Sequence, residues 1–284
     1  MGILSGLSAF GLKNLQDKSI YEEEEKQPEK KQEEEPKKPK ILTEADMVYD
    51  KTFECPVCGT HFKSKVLKTG KTRLVGTDID LRNRYDVIDP YKYEVLMCTK
   101  CGYAAMPKYF SKVTSSQRKA IMDQISRVIT FSVPEGEVYD YEEAISRYTL
   151  ALACSMVKKD KDSTKGFICL NGAWTVRGYR EYLTANGEAE KAQELYQDEL
   201  EFLGEAYKGF LEARSKEDYP ICGMDRYTID YLVAVLAYYA KDYETAAKIV
   251  AGLLNSNMQN DNLKERSREL KDLILTTLKE KKEK

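Results

Sequence analysis

Two segments of this chain repeat one pattern: Cys55-Pro56-Val57-Cys58-Gly59 and Cys98-Thr99-Lys100-Cys101-Gly102. Two thiolates separated by two residues both reach one ion from a single tight turn. The glycine after the second cysteine lets the backbone turn back, so that amides point at sulfur. Two such turns supply four sulfurs in a closed tetrahedral set. A closed set has no open position for water, so it builds structure rather than hydrolysing a substrate. The pairs are separated by 39 residues, more than the ~15–20 of a compact ribbon. Loop length is a weak obstacle: doubling it costs only ~0.6 kcal/mol, against ~10–16 kcal/mol of apparent free energy from zinc ligation. We therefore expect one structural Zn2+ on Cys55, Cys58, Cys98 and Cys101, with the insert forming strands above the zinc turns. Iron fits the same four-sulfur geometry. A thiol redox pair needs one motif after a strand at a helix start, and the presence of a twin argues against that layout.

The other chemistry-bearing residues are few. His61 is the single histidine, so metal sites built on two or three histidines are excluded within one chain. With four cysteines available, His61 reads as a partly exposed neighbour of the site. Cys154, Cys169 and Cys222 stand alone in or beside helical patterns and read as small apolar packing residues. Seven cysteines in 284 residues do not make a secreted disulfide scaffold. No stretch approaches the ~20 apolar residues of a membrane span. Residues 1–20 lack the basic start and long apolar run of a secretion signal. The expected compartment is the cytoplasm.

The chain divides into four regions. Residues 1–20 form a short amphipathic docking segment, with Ile3, Leu4, Leu7, Phe10, Leu12 and Leu15 placed for a protein partner or peripheral membrane contact. Gly6 rules out a myristoylation motif, which wants Ser or Thr there. Residues 21–40 hold only Glu, Lys, Pro and Gln after Tyr21 and have nothing to bury, so they read as a disordered linker. Residues 41–112 read as a zinc-ribbon-like module with strands at 63–69, 72–77 and 91–97. Residues 113–284 read as helical. Thr114 and Gln117 have capping-box spacing, with Ile121, Ile125, Val128 and Ile129 on one face. Further helices are expected at about 140–158, 165–185, 188–213, 226–241, 243–254 and 260–281. Ala234 and Ala246 fall where two antiparallel helices approach closely, and Tyr141-Glu142-Glu143-Ala144 has a similar look. Both resemble tetratricopeptide repeats, without a clean 34-residue period. The expected fold class is α+β, mostly α: a small β-rich zinc-ribbon-like module, then a tetratricopeptide-like helical-hairpin array or a helical bundle.

Charge is unevenly spread. Residues 51–112 hold 12 Lys/Arg against 6 Asp/Glu, whereas residues 113–284 hold 25 against 29. Lys63, Lys65, Lys68, Lys71 and Arg73, beside Asp78, Asp80, Arg82 and Arg84, make a candidate binding surface. With Phe62, Tyr85, Tyr91 and Tyr93 nearby, the basic part is one that grips a nucleic-acid backbone. Asp78 and Asp80 share a face if they lie on a strand, a geometry suited to metal or acid–base work. A salt-bridged or solvated surface is the commoner meaning of such mixed charge. Gly70-Lys71-Thr72 echoes a phosphate-binding loop, but Lys65 stands where that loop needs its first glycine.

Several of these pieces occur together in one known family. Phe53-Glu54-Cys55-Pro56-Val57-Cys58-Gly59, Lys68-Thr69-Gly70-Lys71, Asp78-x-Asp80-Leu81-Arg82, Asp89-Pro90-x-Lys92-Tyr93 and Cys98-x-x-Cys101-Gly102-Tyr103-Ala104-Ala105 resemble the bacterial family called domain of unknown function 2225. The resemblance runs from about residue 45 onward. It implies a zinc-ribbon-like module joined to a repeat-like helical region in a bacterial cytoplasmic protein, and it implies no catalytic residue. No nucleophile or base constellation accompanies the charged stretch. The reading is a non-enzymatic zinc-binding adaptor whose helices present a platform to protein partners. The alternatives are a nucleic-acid-binding regulator acting through the basic module, and a thiol redox sensor.

Overall fold

A capping box opens the folded chain. The Thr43 amide donates to the Asp46 carboxylate at 3.1 Å, at the start of helix α1 (Glu44–Met47). Strand β1 (Val48–Glu54) pairs antiparallel with β2 (His61–Leu67), in register from Val48↔Leu67 to Glu54↔His61. The first Cys-x-x-Cys turn closes this hairpin. Phe53 and Phe62 sit opposite one another with ring centroids 6.0 Å apart. This computed structural model describes residues 42–130 and 136–282. The chain divides into two units, Met1–Ile41 and Leu42–Lys284. The expected docking segment (1–20) and linker (21–40) lie outside the described residues.

Two further hairpins complete the β region. β3 (Leu74–Thr77) pairs with β4 (Asn83–Tyr85), and β5 (Leu96–Met97) pairs with β6 (Ala104–Ala105) around the second Cys-x-x-Cys turn. The strand expected at 91–97 is reduced to the two residues of β5. Its first half is a 3-10 turn, Pro90–Tyr93, because the Asp89 carboxylate accepts the Tyr91 amide at 3.1 Å and Pro90 sits at the first turn position. Asp-Pro is an N-cap signature as well as a turn signal. Next come α2 (Pro107–Phe110) and α3 (Ser115–Ile121), the latter opened by the expected capping box of Thr114 and Gln117. The apolar face expected there holds for Ile121 and Ile125, which pack on the core, but loses Val128. After Ile121 the backbone widens into a π-helical turn, Met122–Ser126, which rotates the residues beyond it. Ile121 is 0% exposed but Val128 is 72% exposed.

The rest is a helical bundle: α4 (Tyr141–Val157), α5 (Asp162–Ala185), α6 (Ala189–Glu194), α7 (Tyr196–Lys216), α8 (Arg226–Tyr239), α9 (Tyr243–Leu254) and α10 (Asp261–Lys282). Aspartate caps start three of these helices. Asp140, Asp225 and Asp242 accept the Glu143, Thr228 and Thr245 amides at 2.7, 2.8 and 3.1 Å, which satisfies donors that have no partner inside the helix. The helix expected at 188–213 is split at Leu195 into α6 and α7. α8 is the central helix: every residue from Ile229 to Ala237 is buried. Ala234 on α8 and Ala246 on α9 are both 0% exposed, as their small side chains and the short connection between the helices require.

The fold class is α+β and mostly helical, with the β hairpins and cysteine turns ahead of the bundle. Packing runs across residue 112. One apolar cluster joins Cys55, Phe62, Val95, Cys98 and Tyr103 to Ile121, Tyr148, Cys154 and Ile168. Tyr148 on α4 donates its hydroxyl to the Tyr91 carbonyl at 2.8 Å, and the Tyr91 ring lies 4.9 Å from that of Trp174 on α5.

Gly178 marks the tightest join between the β region and α5. A Cβ there would lie 2.3 Å from Asp89 Oδ2 and 3.0 Å from the Tyr141 ring. Gly178→Ala should therefore lower stability by ~1–3 kcal/mol, an overpacking cost, although alanine is the better helix former. Urea unfolding checks this, and a variant as stable as the parent would show that the join yields freely.

Candidate metal centre

The two cysteine turns are built alike. In the first, the Gly59 amide donates to the Cys55 carbonyl at 2.9 Å and the Cys55 amide donates to the Thr60 carbonyl at 3.0 Å. In the second, Gly102 donates to Cys98 at 2.9 Å and Cys98 to Tyr103 at 2.9 Å. Both glycines have φ +71°, a left-handed conformation that costs a side-chain-bearing residue ~1–2 kcal/mol. Strand pairing on each side holds the turn ends together, through β1–β2 and β5–β6.

The turns face each other. One sulfur from each of Cys55, Cys58, Cys98 and Cys101 lies within 4.8 Å of all the others. The Cys55–Cys101 and Cys58–Cys98 separations are 3.6 Å. A tetrahedral ion with Zn–S bonds of ~2.3 Å needs sulfur–sulfur edges of about 3.8 Å. The donor set therefore fits a metal ion such as zinc. Cys55, Cys98 and Cys101 are buried and Cys58 is half-buried. Four sulfurs so crowded cannot all ionise by themselves. Hydrogen bonds from Cys101 and Cys55 pull the Cys98 thiol down, while the Cys101 thiol, held as a donor to Cys55 and Cys98, is pushed up. A divalent cation replaces the shared protons and lets all four become thiolates.

His61 is exposed at the start of β2, opposite Glu54. A different residue supports the site. Cys154 on α4 accepts the Ala104 amide at 3.4 Å and donates its thiol to the Gly102 carbonyl at 3.8 Å. It thus grips the second cysteine turn from behind, and burial pushes its own thiol up to about 11. Cys154→Ala should leave one metal per chain but make the ion leave faster to a chelator, because the Ala104 amide is stranded at ~1–3 kcal/mol. Cys154→Ser should restore most of the retention. Release from all three proteins at one rate would rule out this support. Cys169 is buried in the bundle core, as expected of a packing residue. Cys222 is half-buried in a tight turn at φ +51°.

The candidate binding surface separates into two groups. Lys63, Lys71 and Arg73 are exposed. Lys65 pairs with Asp50 at 3.1 Å, and Lys68 donates to the Asp46 carbonyl at 2.8 Å. The Asp78–Arg84 group turns inward. Asp78 and Asp80 lie in the turn between β3 and β4 rather than on a strand, closed by the Asp78 amide on the Arg82 carbonyl at 2.8 Å. They nevertheless converge, because Arg177 on α5 reaches Asp78 at 3.3 Å and Asp80 at 2.7 Å. Arg177 also holds Glu199 of α7 at 2.7 Å. Arg82 reaches Glu181 at 3.1 Å and Asp89 at 3.6 Å, and Arg84 reaches Glu181 at 3.2 Å. Asp80 is 0% exposed and Arg82 is 5% exposed. Burial pulls the Arg177 guanidinium down, but Asp80 and Glu199 outweigh it and hold it firmly charged. Desolvation raises Asp89, against the pull of Arg82. Arg266 on α10 finishes the join by donating to the Asp78 carbonyl at 2.9 Å.

The mixed charge of this stretch is thus a buried ionic joint that docks the insert on α5, α7 and α10. Its helical members, Arg177, Glu181, Glu199 and Arg266, do not stand out in the sequence. The available signal is a charged trio, Arg177, Arg180 and Glu181, within an α5 whose earlier turns are almost wholly buried.

A family model described as an uncharacterized protein conserved in bacteria, DUF2225, matches residues 48–274. An uncharacterized protein from Borreliella burgdorferi is 28% identical over 143 residues, covering 43% of this chain and 50% of the relative. The chain therefore spans about half the length of that relative. No solved structure matches.

Proposed function

This chain belongs to the DUF2225 family of uncharacterized bacterial proteins, and from its geometry we propose a non-enzymatic adaptor stabilised by one zinc ion. The observation that carries the reading is the closed four-sulfur set fused to the helical core. All four donors come from protein, so zinc bound by Cys55, Cys58, Cys98 and Cys101 has no vacant position for a substrate or a water. Its contribution is to fix two turns against α4, and through them the insert against α5. The other concentration of ionisable groups, around Arg177, is paired internally and serves to join elements. What the fold offers outward is helical surface. No helix among the described residues is long and apolar enough to cross a membrane.

The nucleic-acid alternative has less support, because two of the five basic residues it relies on are engaged within the chain and Arg82 and Arg84 are drawn into the ionic joint. The adaptor reading is tested by tagging the full chain in its own bacterium at native abundance. It should elute in gel filtration with a defined protein partner in fixed ratio. Elution as the chain alone would sink the reading.

A further inference from the structure

Three cations face one groove of the helical bundle. The groove has a volume of about 530 Å3 and runs between the end of α7, the start of α8, and α9. That volume lies within the ~300–1,000 Å3 typical of sites that hold drug-sized ligands. Arg214 and Arg226 share one carboxylate, that of Asp230, with Arg226 at 3.9 Å. Asp230 is itself 8% exposed, so its charge is spent on the arginines rather than offered outward. Lys248 on α9 is exposed and has no carboxylate partner among the described residues. Three cations against one carboxylate leave the groove at +2. Ile249 and Leu253 lie beneath it, almost wholly covered at 7% and 3% exposed, with half-buried Tyr227 beside them.

We propose that this groove binds an acidic peptide segment. The proposal rests on the adaptor reading and names the chemistry of its partner. Planar guanidinium groups match carboxylates in a paired geometry, and Arg214, already oriented by Asp230, is set for one. The surroundings also select against a long polyanion. Residues 113–284 hold 25 Lys/Arg against 29 Asp/Glu, so an extended nucleic acid meets net repulsion beyond the groove, whereas a short peptide meets only the local positive charge.

The test titrates the full metal-loaded chain into a labelled glutamate peptide, into its lysine counterpart, and into a single-stranded oligothymidylate of equal length. The variant carries Arg226→Glu and Lys248→Glu, both at exposed positions, and leaves the Arg214–Asp230 pair intact. The acidic peptide should bind, the lysine peptide should not, and the double variant should weaken binding at least ~10-fold. The variant's circular dichroism and metal content should match the parent. No binding by the parent, equal binding by the variant, or tighter binding of the oligonucleotide would overturn the proposal. The two readings fail separately. A chain that binds the peptide but co-purifies with no native partner keeps the groove and loses the adaptor. A chain that keeps its native partner but ignores the peptide does the reverse.

Discussion

Cys98→Ser will purify with less than about a tenth of a metal ion per chain and will melt well below the parent. Cys98 is 0% exposed, and its sulfur lies 3.6 Å from that of Cys58. Serine does not ionise near neutral pH and is a poor zinc donor, so the four-sulfur set becomes an incomplete three. The damage does not stay local. The sulfurs lie within one apolar cluster with Phe62, Val95, Tyr103, Phe110 and Ile121. Without the ion, the facing turns lose the attraction that draws them together. A loss of ~4 kcal/mol or more, modest beside the apparent binding energy of structural zinc, lowers the midpoint by ~10 °C at ~2–4 °C per kcal/mol. Metal analysis with calorimetry reads both quantities. Cys169→Ala is the control: that thiol is buried in the bundle core, so the variant should keep its metal while losing some packing. Full metal content and an unchanged midpoint in Cys98→Ser would refute the four-sulfur centre.

Arg177→Met should be nearly as damaging, through a different cause and with the metal retained. The substitution keeps an unbranched apolar stem, shorter than arginine's, and removes three ion pairs. Asp80, 0% exposed, is then a charge without its main partner inside the protein, while Glu199, 4% exposed, keeps only Arg180. Breaking a buried pair by removing one member costs ~3–5 kcal/mol, or ~6–20 °C in the midpoint. Pairing Arg177→Met with Asp80→Leu should recover much of that, since replacing both charges removes the stranded one. The recovery identifies the cause, because simple loss of packing would accumulate instead. Metal content should stay at one ion per chain throughout. A single variant that melts within a degree or two of the parent would mean that water reaches Asp80 and screens it.

The four-cysteine cluster was legible because its chemistry is local. Cys-x-x-Cys-Gly determines a turn through five consecutive residues, and two copies name the partners. The helices were legible for a similar reason: aspartate caps and the spacing of Ile229, Leu232, Val233 and Leu236 act within a few turns. The ionic joint was not. Asp78, Asp80 and Arg82 look the same in sequence whether water or Arg177 neutralises them, and the pair Arg82–Glu181 spans 99 positions. The short strands failed differently. Residues 91–97 have strand-forming side chains, yet one carboxylate, that of Asp89, turns the first half into a 3-10 turn. Val128 was turned out of the face expected beyond Ile121 by a π-helical turn, a wider turn that periodicity counts cannot anticipate.

The distances in sequence over which these two sets of bonds close also order them in time. A chain leaves the ribosome N-terminus first at ~5–20 residues per second. Cys55 and Cys101 are 46 residues apart, but the Asp78 carbonyl waits for a donor on Arg266, 188 residues downstream. At those speeds the last cysteine is made only seconds after the first, whereas Arg266 is made ~10–40 s after Asp78. Arg177, which pairs with Asp78 and Asp80, follows them by 99 and 97 residues, so the joint starts to close before Arg266 completes it. The nascent protein thus has its four cysteines together first and completes its charged joint last. A chain cut short before α10 would carry metal and still present an unfinished insert, a difference that a protease acting on growing or truncated chains can read.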